Sequence, residues 1–168
     1  MNAKTKSLLF GLTIFLLQLP PVKAAPEIVA HRAGTADAPE NTLTAISLAT
    51  HVTDTIWISV QLSKDMIPVL YRPSDLQALT DGKGRISQYT HKELTRLDAG
   101  YQFAGPRGDL PYRNKGLTIP TLSQAFRLFP GQTFFIDIKS PDADPRDMAR
   151  ALKQVIIDAN DQQRVVFY

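Results

Sequence analysis

The chain has 168 residues, with 19 Lys and Arg against 16 Asp and Glu for a formal net charge of +3, and no cysteine. Disulfides and thiolate metal centres are excluded, so stability must come from packing. Lys4, Lys6 and Lys23 all precede the first acidic residue, Glu27, which leaves residues 25–168 with 16 basic groups against 16 acidic ones and no charge argument for nucleic acid as a partner.

In chain order, Lys4 and Lys6 lead into an apolar run over residues 8–19, shorter than the roughly 20 residues of a membrane span. Pro20-Pro21 ends the run, and Val22-Lys23-Ala24 supplies small residues for cleavage. Residues 1–24 therefore read as a secretory signal peptide, with no stable membrane anchor and a destination in the periplasm or the medium. Residues 25–168 are enough for one domain with a real core.

Residues 28–31 read as a first strand, and Asn41 is expected to cap a helix reaching residue 49 with Leu43, Ile46 and Leu48 on its apolar face. Strands are expected over residues 56–62, 67–71 and 133–138, rich in β-branched and aromatic side chains and all three taken as wall strands of one sheet. Short helices are expected over residues 90–97 and 122–129, the second capped by Thr121 or Ser123, with a loop over residues 100–116 between them. Residues 145–159 form an amphipathic pattern carrying Met148, Leu152, Val155 and Ile156 on one face, and residues 164–168 begin another strand. Strands alternating with helices place the chain in the α/β class. His51 and His91 read as solvent-facing, and residues 80–84 as a turn, since the glycine spacing of a phosphate loop is missing.

Chemistry concentrates where the first strand ends. Ala30-His31-Arg32-Ala33-Gly34 is followed by Ala38-Pro39-Glu40-Asn41-Thr42-Leu43, which sets a proton-transfer group and a fixed cation side by side at a strand end. These runs resemble the His-Arg-Gly and Pro-Glu-Asn-Thr signatures of the glycerophosphodiester phosphodiesterases. The resemblance continues in order through Val60-Gln61-Leu62-Ser63-Lys64-Asp65, Pro68-Val69-Leu70, Thr80-Asp81-Gly82-Lys83-Gly84, Leu97-Asp98-Ala99-Gly100, Ile119-Pro120-Thr121-Leu122 and Ile136-Asp137-Ile138-Lys139. It implies a TIM-type β/α barrel. Such barrels take about 250 residues, so residues 25–168 are expected to form only its N-terminal portion, about half to five-eighths. The chain accordingly reads as a truncated product or fragment of a barrel, or less readily as a half barrel completed by a second copy.

The family resemblance also implies a divalent cation, calcium or magnesium, held by carboxylates, and a second histidine. Two of those carboxylates fall at Trp57 and Ser59, and the second histidine and its following aspartate fall at Arg72 and Pro73. Asp137 stands where a third ligand is implied. Carboxylates leave and a guanidinium arrives, so the mouth reads as suited to an anion and poor in metal ligands. By resemblance, His31, Arg32 and Glu40 are the catalytic candidates, with Arg72, Lys139 and Trp57 as substrate-binding residues. Each has a plainer reading: His31 as a satisfied core histidine, Arg72 as a surface residue, Trp57 as packing, and Asp137 with Lys139 as a structural ion pair. The resemblance implies hydrolysis of glycerophosphodiesters or lipid head-group diesters, with a small phosphodiester or phosphorylated ligand as partner. A silent relative that only binds phosphorylated ligands, and a nonfunctional truncated product, are the other two readings.

Overall fold

A computed structural model describes residues 27–139, 142–159 and 164–168. The signal-peptide reading of residues 1–24 lies outside the described residues.

The longest strand, β2 (Thr55–Leu62), organises the sheet. Its sequence alternates, so Ile56, Ile58, Val60 and Leu62 share one face and are 0–2% exposed, while Trp57, Ser59 and Gln61 share the other. β1 (Val29–His31) pairs parallel to β2 on one side and β4 (Thr133–Ile138) parallel on the other, and β5 (Arg164–Phe167) extends β4, giving the order β1-β2-β4-β5. Helices α1 (Leu43–Ala49), α3 (Leu122–Leu128) and α4 (Pro145–Asp158) cover the aliphatic face. Ile46, Ala45, Leu122, Phe126, Met148 and Leu152 meet Ile56, Ile58, Phe134 and Ile136 there in one core cluster. Parallel strands with helices on one face form half the wall of a β/α barrel, as expected from the sequence. No described helix is long and apolar enough to cross a membrane.

Three details depart from the sequence reading. β3 (Pro68–Leu70) is not a wall strand: it runs antiparallel to β2, with Val60 facing Leu70 on one side and Ile138 on the other, so β3 sits above β1 on the same flank of β2. Residue pattern marks a strand but not its direction, and a turn as short as residues 63–67 allows only an antiparallel return. Asn41 does not cap α1; Thr42 does, its Oγ1 accepting from the Ala45 N–H at 3.2 Å and donating to the Pro39 carbonyl at 2.7 Å. Leu48, expected on the apolar face, is 43% exposed.

Residues 71–120 form a rim segment with a second core, in which Val69, Tyr71, Leu76, Ile86, Leu94 and Ile119 are buried. Its one α-helix, α2 (His91–Leu94), is shorter than the expected residues 90–97 and is capped reciprocally by Thr90 and Glu93. Single 3₁₀ turns at Leu76–Ala78 and Ile86–Gln88 were not legible in the sequence. Three-residue turns leave no periodicity to read.

Candidate functional site at the open end of the sheet

The chain leaves β1 at His31 through a left-handed turn. Arg32, Ala33 and Gly34 have φ of 53°, 62° and 93°, and the Ala33 N–H donates to the carbonyls of Ala30 at 3.1 Å and Trp57 at 3.0 Å. Left-handed backbone costs a residue with a Cβ roughly 1–2 kcal/mol, so Arg32 and Ala33 hold a conformation imposed by their surroundings. Asn41, at φ 58°, fastens the far end of the loop: its N–H donates to the Arg32 carbonyl at 2.9 Å and its Oδ1 accepts from the Ser59 N–H at 2.9 Å. That bond to β2 is why Asn41 is unavailable as a helix cap.

The same loop ties Arg32 to Glu40, Nη1 to Oε2 at 2.8 Å, with both side chains mostly covered. Glu40 is thereby a positioning partner of Arg32 rather than a free acid. The pairing leaves buried atoms over: Arg32 Nε, Glu40 Oε1 and Asn41 Nδ2 have no hydrogen-bond partner among the described residues.

Pairing register lines up His31, Trp57 and Phe135 across β1, β2 and β4, with Ser59 beside Asp137 one step further toward the mouth. His31 is exposed, and its ring meets Trp57 edge-on at 5.4 Å. Tyr168 lies against the same indole at 4.5 Å. Trp57 is therefore held between two rings, the packing role weighed for it in the sequence. Asp137 accepts from Ser59 Oγ at 3.3 Å and pairs with Lys139 Nζ at 3.0 Å. Lys139 remains 43% exposed and can turn toward an anion.

Arg72 is exposed, and its side chain has no partner among the described residues. The hairpin end that carries it is held by buried Gln61, whose Nε2 donates to the carbonyls of Tyr71 at 3.2 Å and Pro73 at 2.8 Å. Tyr71, passed over in the sequence, is the buried residue here. Its hydroxyl donates to the carbonyls of Asp75 at 3.0 Å and Leu76 at 3.1 Å. Burial pushes its phenol far above the ordinary value, with the carboxylates of Asp75 and Glu40 adding to the rise, so it stays protonated. An aromatic residue with a polar handle at a strand end was the available signal.

The described donor set does not fit the divalent cation implied by resemblance. An indole and a hydroxyl stand at Trp57 and Ser59, Asp137 is committed to Lys139 and Ser59, and no group of three or more His, Asp or Glu among the described residues converges on one point. His51 is exposed, as expected, with Nδ1 at 2.9 Å from the Ser47 carbonyl. His91 is not solvent-facing as read: it is half-buried, with Nε2 covered and without a partner among the described residues.

Against known proteins, the model of the glycerophosphoryl diester phosphodiesterase family matches residues 31–167, starting on His31 itself. The crystal structure of the glycerophosphoryl diester phosphodiesterase domain of a Mycobacterium tuberculosis protein is 42% identical with a TM-score of 0.75, over 86% of this chain and 53% of that one. An Oleispira antarctica phosphodiesterase, solved with its product sn-glycerol-3-phosphate, is 29% identical with a TM-score of 0.72, over 84% of this chain and 56% of that one. A glycerophosphodiester phosphodiesterase of Caldanaerobacter subterraneus is 31% identical over 83% of this chain and 56% of its own length. The chain spans about half the length of the curated relatives it matches.

Proposed function

Since the chain belongs to the glycerophosphoryl diester phosphodiesterase family, we propose that its strand-end mouth takes the phosphate of a glycerophosphodiester or related lipid head-group diester. His31 is then the proton-transfer group. In hydrolysis, water attacks phosphorus, the P–O bond to the alcohol breaks, and the proton lost by the water is balanced by the one gained by the leaving alkoxide; an exposed imidazole at the mouth can carry either transfer. Arg32, fixed in direction by Glu40, and Lys139 offer cationic donors to the phosphate oxygens. Arg72, with no competing partner among the described residues, supplies part of the charge that a cation would otherwise neutralise.

The observation that carries this reading is the His31, Arg32 and Glu40 arrangement at the very start of the matched family region. Export to the periplasm or medium is proposed with it, on the pattern of residues 1–24. The second reading, a relative that binds phosphorylated ligands without cleaving them, rests on Trp57, Ser59 and Arg72 at the positions where resemblance expects two carboxylates and a histidine.

Turnover of glycerophosphocholine, followed by release of sn-glycerol-3-phosphate with and without a chelator, tests both. Turnover that survives chelation supports the altered site. Binding without turnover supports the silent relative, and calcium- or magnesium-dependent turnover at ordinary affinity overturns the metal-poor site.

A further inference from the structure

The backbone on either side of Arg72 is held by one side chain. Gln61 lies on the face of β2 shared by Trp57 and Ser59 and is 4% exposed. A buried amide is costly unless its hydrogens are used, and Nε2 carries two of them. Its two acceptors are the Tyr71 carbonyl at 3.2 Å and the Pro73 carbonyl at 2.8 Å. The amide orientation follows from that pairing, since an amide oxygen cannot face two carbonyls.

The hairpin end is brought to the mouth by β2 itself. Along one flank of that strand, the Trp57 carbonyl accepts from the Ala33 N–H at 3.0 Å, the Ser59 N–H donates to Asn41 Oδ1 at 2.9 Å, and the Ser59 carbonyl accepts from the Tyr71 N–H at 3.0 Å. The loop that carries Arg32 and Glu40 and the hairpin end that carries Arg72 therefore meet at Ser59. Tyr71 is held at its N–H by β2 and at its carbonyl by Gln61. Pro73 has no N–H to offer and restricts the backbone of the residue before it; its carbonyl is held by Gln61 as well. Arg72 is the exposed residue between these two, and its side chain has no partner among the described residues. With nothing described on the guanidinium, its reach is set by the backbone beneath it.

We propose that Gln61 is a positioning residue: its amide pins the backbone on both sides of Arg72, so that the guanidinium is presented on the Arg32 flank of β2 and meets the same phosphate. The inference rests on the phosphate reading of the mouth and adds what makes Arg72 available to it. A displacement of about 1 Å in a positioned group can cost about a hundredfold, so a clamp on two carbonyls has consequences well beyond its own bonds. A merely structural Gln61 would cost stability on substitution and leave the contribution of Arg72 to binding as it was.

Gln61→Met keeps the length of the side chain and removes both donors. It is compared in the full chain with Arg72→Met and with the double variant, by calorimetric binding of inorganic phosphate and sn-glycerol-3-phosphate, with urea unfolding alongside. Each single variant is expected to weaken binding about tenfold, the size of one charge-assisted hydrogen bond, and by the same factor for both ligands, because phosphate is their shared part. The double variant is expected to lie within about twofold of either single, since both remove one interaction. Losses that multiply to about a hundredfold overturn the positioning role, and so does a Gln61→Met chain with a lower urea midpoint but unchanged affinity; in both cases the phosphate reading stands. Absence of phosphate binding in the unaltered chain, or an Arg72→Met chain that binds as tightly as the unaltered one, sinks the phosphate reading of Arg72 and this role with it. Should Gln61→Met fail to fold, the unaltered chain decides by NMR. A backbone order parameter of about 0.85 at Arg72, with the Gln61 amide signals moving in step with Arg72 Nε–H as phosphate is added, supports the clamp; a value below about 0.6, or a Gln61 amide that does not move, overturns it.

Discussion

Asn41 joins three parts of the mouth with one side chain and one N–H. It holds the Arg32 carbonyl, the Ser59 N–H and a φ of 58° at the same time. Asn41→Ala removes the acceptor for a buried N–H and puts a Cβ-bearing residue with no local hydrogen bond at positive φ. The expected loss is about 2–3 kcal/mol, read as a lower urea midpoint at unchanged slope. His31, Arg32 and Glu40 were legible as a group because their residue types and order carry the signal. Their division of labour was not: the ion pair that makes Glu40 a positioning residue depends on the chain closing back on itself over a sequence separation of eight. Tyr71 was hidden for a similar reason, since nothing in Leu70-Tyr71-Arg72 says which of the two polar side chains the hairpin will cover.

Among the elements, α1 shows how a cap is chosen. Both Asn41 and Thr42 are good capping residues, and the choice falls to Thr42 because β2 claims the Asn41 side chain. Thr42→Ala is therefore expected to cost about 1 kcal/mol, measured by thermal or urea unfolding. The turn between β2 and β3 carries a pH term. Against the upward pull of burial, the Ser63 hydroxyl and the His91 N–H hold the Asp65 carboxyl below its ordinary value of 3.8. A lowered carboxylate stabilises the fold above 3.8, and that contribution is lost as pH falls through the depressed value. Asp65→Asn should lower stability at neutral pH and flatten the acid limb of stability against pH; an unchanged acid limb counts against the turn. The positions of β2 and β4 were legible to within a residue because both are runs of β-branched and aromatic side chains long enough to mark a strand. The direction of β3 was not, since pairing sense is a property of two strands.

At the scale of the molecule, β5 pairs only with β4 among the described residues, and the surface on that side of the sheet is apolar. Phe167 is 53% exposed, Val166 41%, and Ile138 and Ile157 stand exposed beside them. An uncovered parallel sheet edge with such a patch promotes association between copies. Phe167→Lys is expected to raise several-fold the concentration at which the chain associates, as followed by light scattering after size-exclusion chromatography; no change would place the sticky surface elsewhere. The partial-barrel outline was legible through the family resemblance, with length setting how much of the barrel to expect, and the solved relatives superpose on it over about half their own length.

Val69 and Leu70 are chain neighbours, yet Val69 belongs to the core of the rim segment and Leu70 to that of the wall. β3 is thus a seam between two core clusters of unequal size. Amide hydrogens of residues 71–120 should exchange through an opening that leaves Ile56, Ile58 and Ile136 protected, with the break in protection falling between two adjacent residues of one short strand. That exchange pattern would mean that the rim segment opens at a free-energy cost smaller than that of unfolding the wall.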